Sequence, residues 1–176
     1  IDTAKIGMVG FSLGGYTGVA LAGAETDYHL IGRFAASEQG KREFTLPELG
    51  DISHLITPEL MKEGNAKSQG LKDDRITAFV VMAPALGQAF DRPEQFRMVD
   101  APLLIIGAEN DERAPVQSNA RHYHRLIPNS RYVELPGAVG HYVFMNEAKG
   151  GLKREAPLIF QDAGSVRREA VHRKVT

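Results

Sequence analysis

The chain has 176 residues, 43% apolar and 24% charged, with a formal net charge of −1 and no cysteine. That length and balance describe one globular domain with a sizeable core, and they make no electrostatic case for nucleic acid or an anionic membrane as partner. The missing cysteine excludes disulfides, thiol nucleophiles and thiolate metal sites, and no apolar run approaches the ~20 residues of a membrane span.

In chain order, residues 5–11, "KIGMVGF", form a short apolar run without polar alternation, which predicts a strand buried on both faces. Residues 14–24, "GGYTGVALAGA", are small and apolar with helical spacing, which suits a helix lying close on a sheet. Residues 25–74 are polar and charged, broken at Gly40, Pro47, Gly50, Pro58, Gly64 and Gly70. They read as an insertion of short helices, one of them opened by Thr57 as N-cap and Pro58. Such an insertion is either a cap over a site or a solvated excursion. The core pattern resumes with strands predicted at 75–84, 101–111 and 130–137, and with helices at 114–128 and 141–148. Strands alternating with helices imply an α/β fold: a mostly parallel sheet of about four strands with helices on both faces.

One motif stands out. Gly10-Phe11-Ser12-Leu13-Gly14, followed by Gly15, is G-x-S-x-G between a predicted strand and a predicted helix. A sharp strand-to-helix turn strains the serine backbone and lifts its hydroxyl off the sheet, and a Cβ two positions to either side is expected to collide with backbone. The bland alternative is a glycine-rich turn with a capping serine.

A serine nucleophile needs a base and a group that orients the base. Of six histidines, His122 and His124 fall in a predicted helix and read as surface residues. His29 and His54 lie in the insertion, and His172 lies in the basic tail. His141 instead follows the last strand in the glycine-bearing loop "LPGAVGHYVF". The acid has to come from another strand end, where "LLIIGAENDERAP" offers Asp111, with Glu109 as the fallback. Three residues chosen separately thus fall at the carboxyl ends of three predicted strands, the edge at which open parallel sheets bind ligands.

At these residues the chain resembles the α/β-hydrolase superfamily, in which the order Ser, Asp, His is characteristic. More narrowly it resembles the dienelactone hydrolase-like branch that includes bacterial relatives of platelet-activating-factor acetylhydrolase. The resemblance runs through "AKIGMVGFSLGGYTGVALAGA", "DDRITAFVVMAPALGQAF", "APLLIIGAENDERAPV" and "LPGAVGHYVF", and leaves out the insertion and the tail after about residue 150. It implies Ser12 as nucleophile, Asp111 as acid, His141 as base and the Leu13 N–H as an oxyanion donor, with no cofactor or metal. The expected reaction is hydrolysis of a small-molecule carboxylic ester or lactone through an acyl-enzyme. Serine in place of the cysteine of dienelactone hydrolase proper favours general esterase chemistry.

The family's sheet has eight strands, so the chain is expected to be the C-terminal part of one catalytic domain. The strand at 5–11 then becomes an exposed edge, prone to aggregation, and a second oxyanion donor lies before Ile1. The opening on Ile1 and the helical close "VRREAVHRKVT" fit that expectation. A leader would lie upstream, so the compartment stays open among cytoplasm, which is favoured, periplasm and exterior. Phe11, Met82, Phe90 and Tyr142, with Leu86 and Phe144, are candidates for an apolar substrate pocket. A peptidase or acyltransferase, or a non-catalytic binding module, are the competing functions on such a scaffold.

Overall fold

The computed structural model describes Asp2, residues 5–46 and residues 49–175. In chain order the first elements are β1 (Ile6–Phe11), α1 (Leu13–Leu21), α2 (Tyr28–Ala35), α3 (Glu38–Glu43), β2 (Thr45–Leu46), β3 (Gly50–Asp51) and α4 (Pro58–Lys67). Then come β4 (Ile76–Met82), β5 (Leu103–Ala108), α5 (Ala120–Leu126), β6 (Arg131–Leu135), α6 (Leu152–Glu155), α7 (Pro157–Phe160) and α8 (Arg168–Val175). Short 3-10 turns intervene, among them Gly87–Ala89 and His141–Phe144. The fold is α/β. Four strands form a parallel sheet in the order β1-β4-β5-β6, and β2 and β3 form a separate small hairpin.

Alternation along the strands divides the core in two. On one face Phe79, Val81, Leu103 and Ile105 meet Val19 of α1 and Ala120 and Tyr123 of α5. On the other, Ile106, Ala108 and Leu135 meet Val143 and Val171 of α8. Helices therefore cover both faces, but the second covering stops short of the β1 side. Val9, opposite Val80 in the register, is 66% exposed. The expectation that residues 5–11 are buried on both faces is thus corrected. β1 is a sheet edge, paired only with β4 among the described residues; on its second face Phe11 packs against His141 and Phe144, and Val9 stays open.

Small residues set the close approach of α1. A Cβ on Gly15 would lie 2.8 Å from the Pro84 Cα, and one on Gly18 would lie 3.0 Å from Val81 Cγ1. The helix ends at Leu21, and Gly23 turns the chain away at φ +115°.

The insertion is helical as expected, and each of its main helices is opened by a side-chain cap. Asp27 accepts from the His29 N–H, Ser37 from Gly40 and Thr57 from Leu60. The β2–β3 hairpin was not anticipated. The predicted breaker Pro47 lies outside the described residues.

Two predicted helices shrink. The one expected over 114–128 becomes turns and then α5, because the Asn119 side chain already accepts from the Gly87 N–H and donates to the Pro115 carbonyl. A side chain that bonds backbone in this way competes with the helical ladder. The helix expected over 141–148 is only the 3-10 turn His141–Phe144, followed by extended backbone at Met145.

Candidate active site

Ser12 joins β1 to α1 with φ 56° and ψ −118°, a conformation costly for a residue with a side chain. Neighbouring backbone holds it on both sides. Its N–H donates to the Met82 carbonyl at 3.0 Å, and its carbonyl accepts from Tyr16 at 3.1 Å and Ala85 at 3.0 Å. Gly10 is required by space, since a Cβ there would lie 2.1 Å from the Gly14 carbonyl oxygen. The expected collision at Gly14 is corrected: a Cβ there meets nothing within 4 Å, and Gly15 is the close-packed member of the pair.

Asp111 lies in the loop after β5 with its side chain fully buried. Its Oδ1 accepts from the Arg113 N–H at 2.8 Å and the Ala114 N–H at 2.6 Å. Its Oδ2 accepts from His141 Nδ1 at 2.7 Å. An ionised carboxylate only accepts, so Nδ1 carries the ring proton and Nε2 is left as an acceptor. Ser12 Oγ lies 3.0 Å from that Nε2 and donates to it. The imidazole is clamped by Phe11 at 4.8 Å and Tyr142 at 5.2 Å between ring centroids. Backbone bonds tie the two loops together, from Glu109 N–H to the Leu135 carbonyl and from Asn110 N–H to the Val139 carbonyl.

The structure thus brings Ser12, His141 and Asp111 into one relay at the carboxyl edge of the sheet. Glu109, the alternative acid, accepts from the Gly137 N–H and braces the histidine loop instead. Leu13 is the first residue of α1, where helix geometry leaves its N–H without an intrahelical acceptor, at the positive end of the dipole.

Above the relay lies a cavity of about 250 Å³. Phe11, Ser12, Leu13, Leu86, His141 and Tyr142 contribute to it from the body of the fold. Phe34, Phe44, Leu46 and Ile52 contribute from the insertion, so that segment is a cap. Three expected lining residues are corrected. Phe90 is 1% exposed and packs at tilted angles against Phe96 and Tyr123 in the first core. Met82 and Phe144 pack against the second core. Each follows a strand end closely enough to suggest the site, but strand alternation or loop direction turns it inward.

The cap residues were missed. Their one sequence signal is that large apolar side chains in a polar stretch with no core of its own must bury themselves against something else.

Glu43 anchors the cap. Its carboxylate accepts from Ser118 Oγ at 3.1 Å and from Gln39 and Gln88 Nε2. Burial pushes its pKa up, with the nearby Asp111 charge adding to the rise, while the hydrogen bonds from Gln39 and Ser118 oppose it. Arg113 Nη1 adds a second tie to the Thr45 carbonyl at 3.1 Å.

His122 and His124, expected at the surface, are half-buried. His122 Nε2 bonds the Phe90 carbonyl, and His124 Nδ1 bonds Ser130 Oγ. Among the described residues no group of three or more His, Asp or Glu side chains is placed to hold a metal ion, and no helix is long and apolar enough to cross a membrane. No protein-family model matches the chain.

Proposed function

We propose that this chain is the catalytic C-terminal part of a serine hydrolase with the α/β-hydrolase fold, of the dienelactone hydrolase-like branch, and that it cleaves carboxylic esters or lactones. The observation that carries the reading is the continuous relay from Ser12 Oγ to His141 Nε2 at 3.0 Å and from His141 Nδ1 to Asp111 Oδ2 at 2.7 Å. It is joined to a strained, backbone-pinned serine at a strand-to-helix turn.

In the forward step His141 Nε2 takes the Ser12 proton as Oγ bonds to the substrate carbonyl carbon. Asp111 keeps the proton on Nδ1, fixing the tautomer, and stabilises the imidazolium that forms. The Leu13 N–H receives the developing oxyanion, and one such donor is worth about 2.7–4 kcal/mol in the transition state. The imidazolium then protonates the departing alkoxide and leaves an acyl group on Ser12. Water, deprotonated by the same imidazole, attacks that acyl group and regenerates the serine.

The direct test is labelling of the full-length protein with a fluorophosphonate. One adduct on Ser12, absent from Ser12→Ala, is expected, and no adduct on Ser12 overturns the reading. Faster turnover of a p-nitrophenyl ester than of an aminoacyl amide separates ester from peptide cleavage.

A further inference from the structure

We propose that the insertion at 25–74 supplies the acyl subsite, and that the substrate is an ester joining a compact apolar acyl group to a polar alcohol. The inference rests on the serine-hydrolase reading above. Two cavities meet at the histidine. The first, of about 250 Å³, holds Ser12 and Leu13 and is closed on the cap side by Phe34, Phe44, Leu46 and Ile52. The second, of about 210 Å³, has a mixed lining in which Asn110, Glu112, Gln161 and Asp162 stand beside Ala138, Leu158 and Ala163. The two share Arg113, His141 and Tyr142, and so adjoin at these side chains.

The chemistry assigns the sides. When the tetrahedral intermediate collapses, His141 Nε2 has to deliver its proton to the leaving oxygen, so the alcohol portion lies against the imidazole. Beyond the imidazole opens the second cavity, whose carboxyl and carboxamide side chains offer hydrogen-bond partners to a hydroxylated group. The acyl group stays bonded to Ser12 Oγ and takes the space above the serine, where the walls are aromatic and aliphatic. Burying an alkyl chain there is favourable in proportion to its area, and a polar chain would forfeit its hydration. The cap ties at Glu43 and Arg113 fix the height of this roof. The cap therefore sets a ceiling on acyl length.

The test uses the full-length protein and p-nitrophenyl esters from acetate to dodecanoate. Wild-type kcat/KM is expected to rise about fourfold per added methylene until the cavity is full and then to fall. Phe44→Ala moves the maximum to a longer chain. Phe34→Leu, a milder change in the same wall, moves it in the same direction and covers the case in which Phe44→Ala does not fold. Alkyl acetates of increasing alcohol length show no comparable gain. Fluorophosphonate labelling of Ser12 is measured on every variant. Intact labelling with a flat acyl profile, with a maximum that neither variant moves, or with chain-length dependence on the alcohol side, overturns the subsite assignment and leaves the hydrolase reading standing. Loss of labelling in the wild-type protein overturns both.

Discussion

At the carboxyl edge of the sheet, Asp111 stands just past β5, whose Ile105 and Ile106 are at most 1% exposed, and Ser12 and His141 stand past the two edge strands β1 and β6. In the insertion that faces them, α4 buries no residue at all. The body is held by dense apolar burial, at about 1.5–3 kcal/mol for each fully buried large side chain. The cap is held by α2, which buries Leu30, Ile31 and Ala35 and sends Ile31 into the first core, by helix caps, and by polar ties from Glu43 to Ser118 and Gln88. Ser12, His141 and Asp111 thus sit in one hydrogen-bonded relay, whereas the insertion that walls the cavity is anchored unevenly, through α2 and not through α4. Local opening free energies follow the same division: regions with few buried apolar contacts open most easily.

That contrast predicts different signatures for substitutions in the two regions. The largest effect is expected in the body. Ser12→Ala lowers kcat for a p-nitrophenyl ester by about 10⁴-fold or more, with no change in the melting profile as large as 2 kcal/mol. Asp111→Asn follows closely. Asn can donate where Asp111 only accepts, so it favours the wrong imidazole tautomer, and a drop of about 10⁴-fold in kcat is expected. A fall confined to KM in either variant breaks the comparison at its centre.

The next effect is structural. Gly10→Ala forces a Cβ onto the Gly14 carbonyl, and an unfolding titration should show a loss of about 1–3 kcal/mol or more. Gly14→Ala, four residues on in the same motif, meets open space, and it should be neutral or stabilising by up to ~1 kcal/mol through helix propensity. Equal losses at the two glycines would show that the elbow is constrained by something other than this close approach.

Cap substitutions should move KM and local protection instead of kcat. Glu43→Ala removes the acceptor for Ser118, Gln39 and Gln88, and faster amide exchange across α3 with a raised KM is expected. The smallest effect concerns pH. Burial raises the Glu43 pKa in the folded protein, so the native state binds that proton more tightly than the unfolded chain does. The associated stability is fully present below the unfolded glutamate value and is lost as pH rises through the folded one. Glu43→Gln should flatten that part of the melting temperature's pH dependence, in the window just above the usual carboxylate range. An unchanged slope would mean that the carboxylate is hydrated and that the cap is looser than described.

How far the site was legible follows from the range of the interactions involved. The serine could be read because a strand-to-helix reversal makes local demands, and Gly10 meets one of them within four residues. Asp111 and His141 could be read because parallel strands bring their carboxyl ends to one edge whatever the side chains between. Phe90 and Met82 were misread because proximity in sequence to that edge does not say to which side a loop turns. α5 was read too long because Asn119 hydrogen-bonds to Gly87, thirty-two residues away, and sequence periodicity carries no trace of such a partner.

The sequence by itself determined the alternation of strands and helices, the strained turn at Ser12 and the placing of Ser12, Asp111 and His141 just past three strands, because each depends on neighbours within a few residues. Only the tertiary structure decided that Asp111 and not Glu109 meets the imidazole, that Val9 of β1 is left open, and that Phe34, Phe44, Leu46 and Ile52 roof the serine. The physical reason is that burial belongs to pairs of surfaces. A polar segment with a few large apolar side chains acquires a role only when another part of the chain presents the surface that removes them from water.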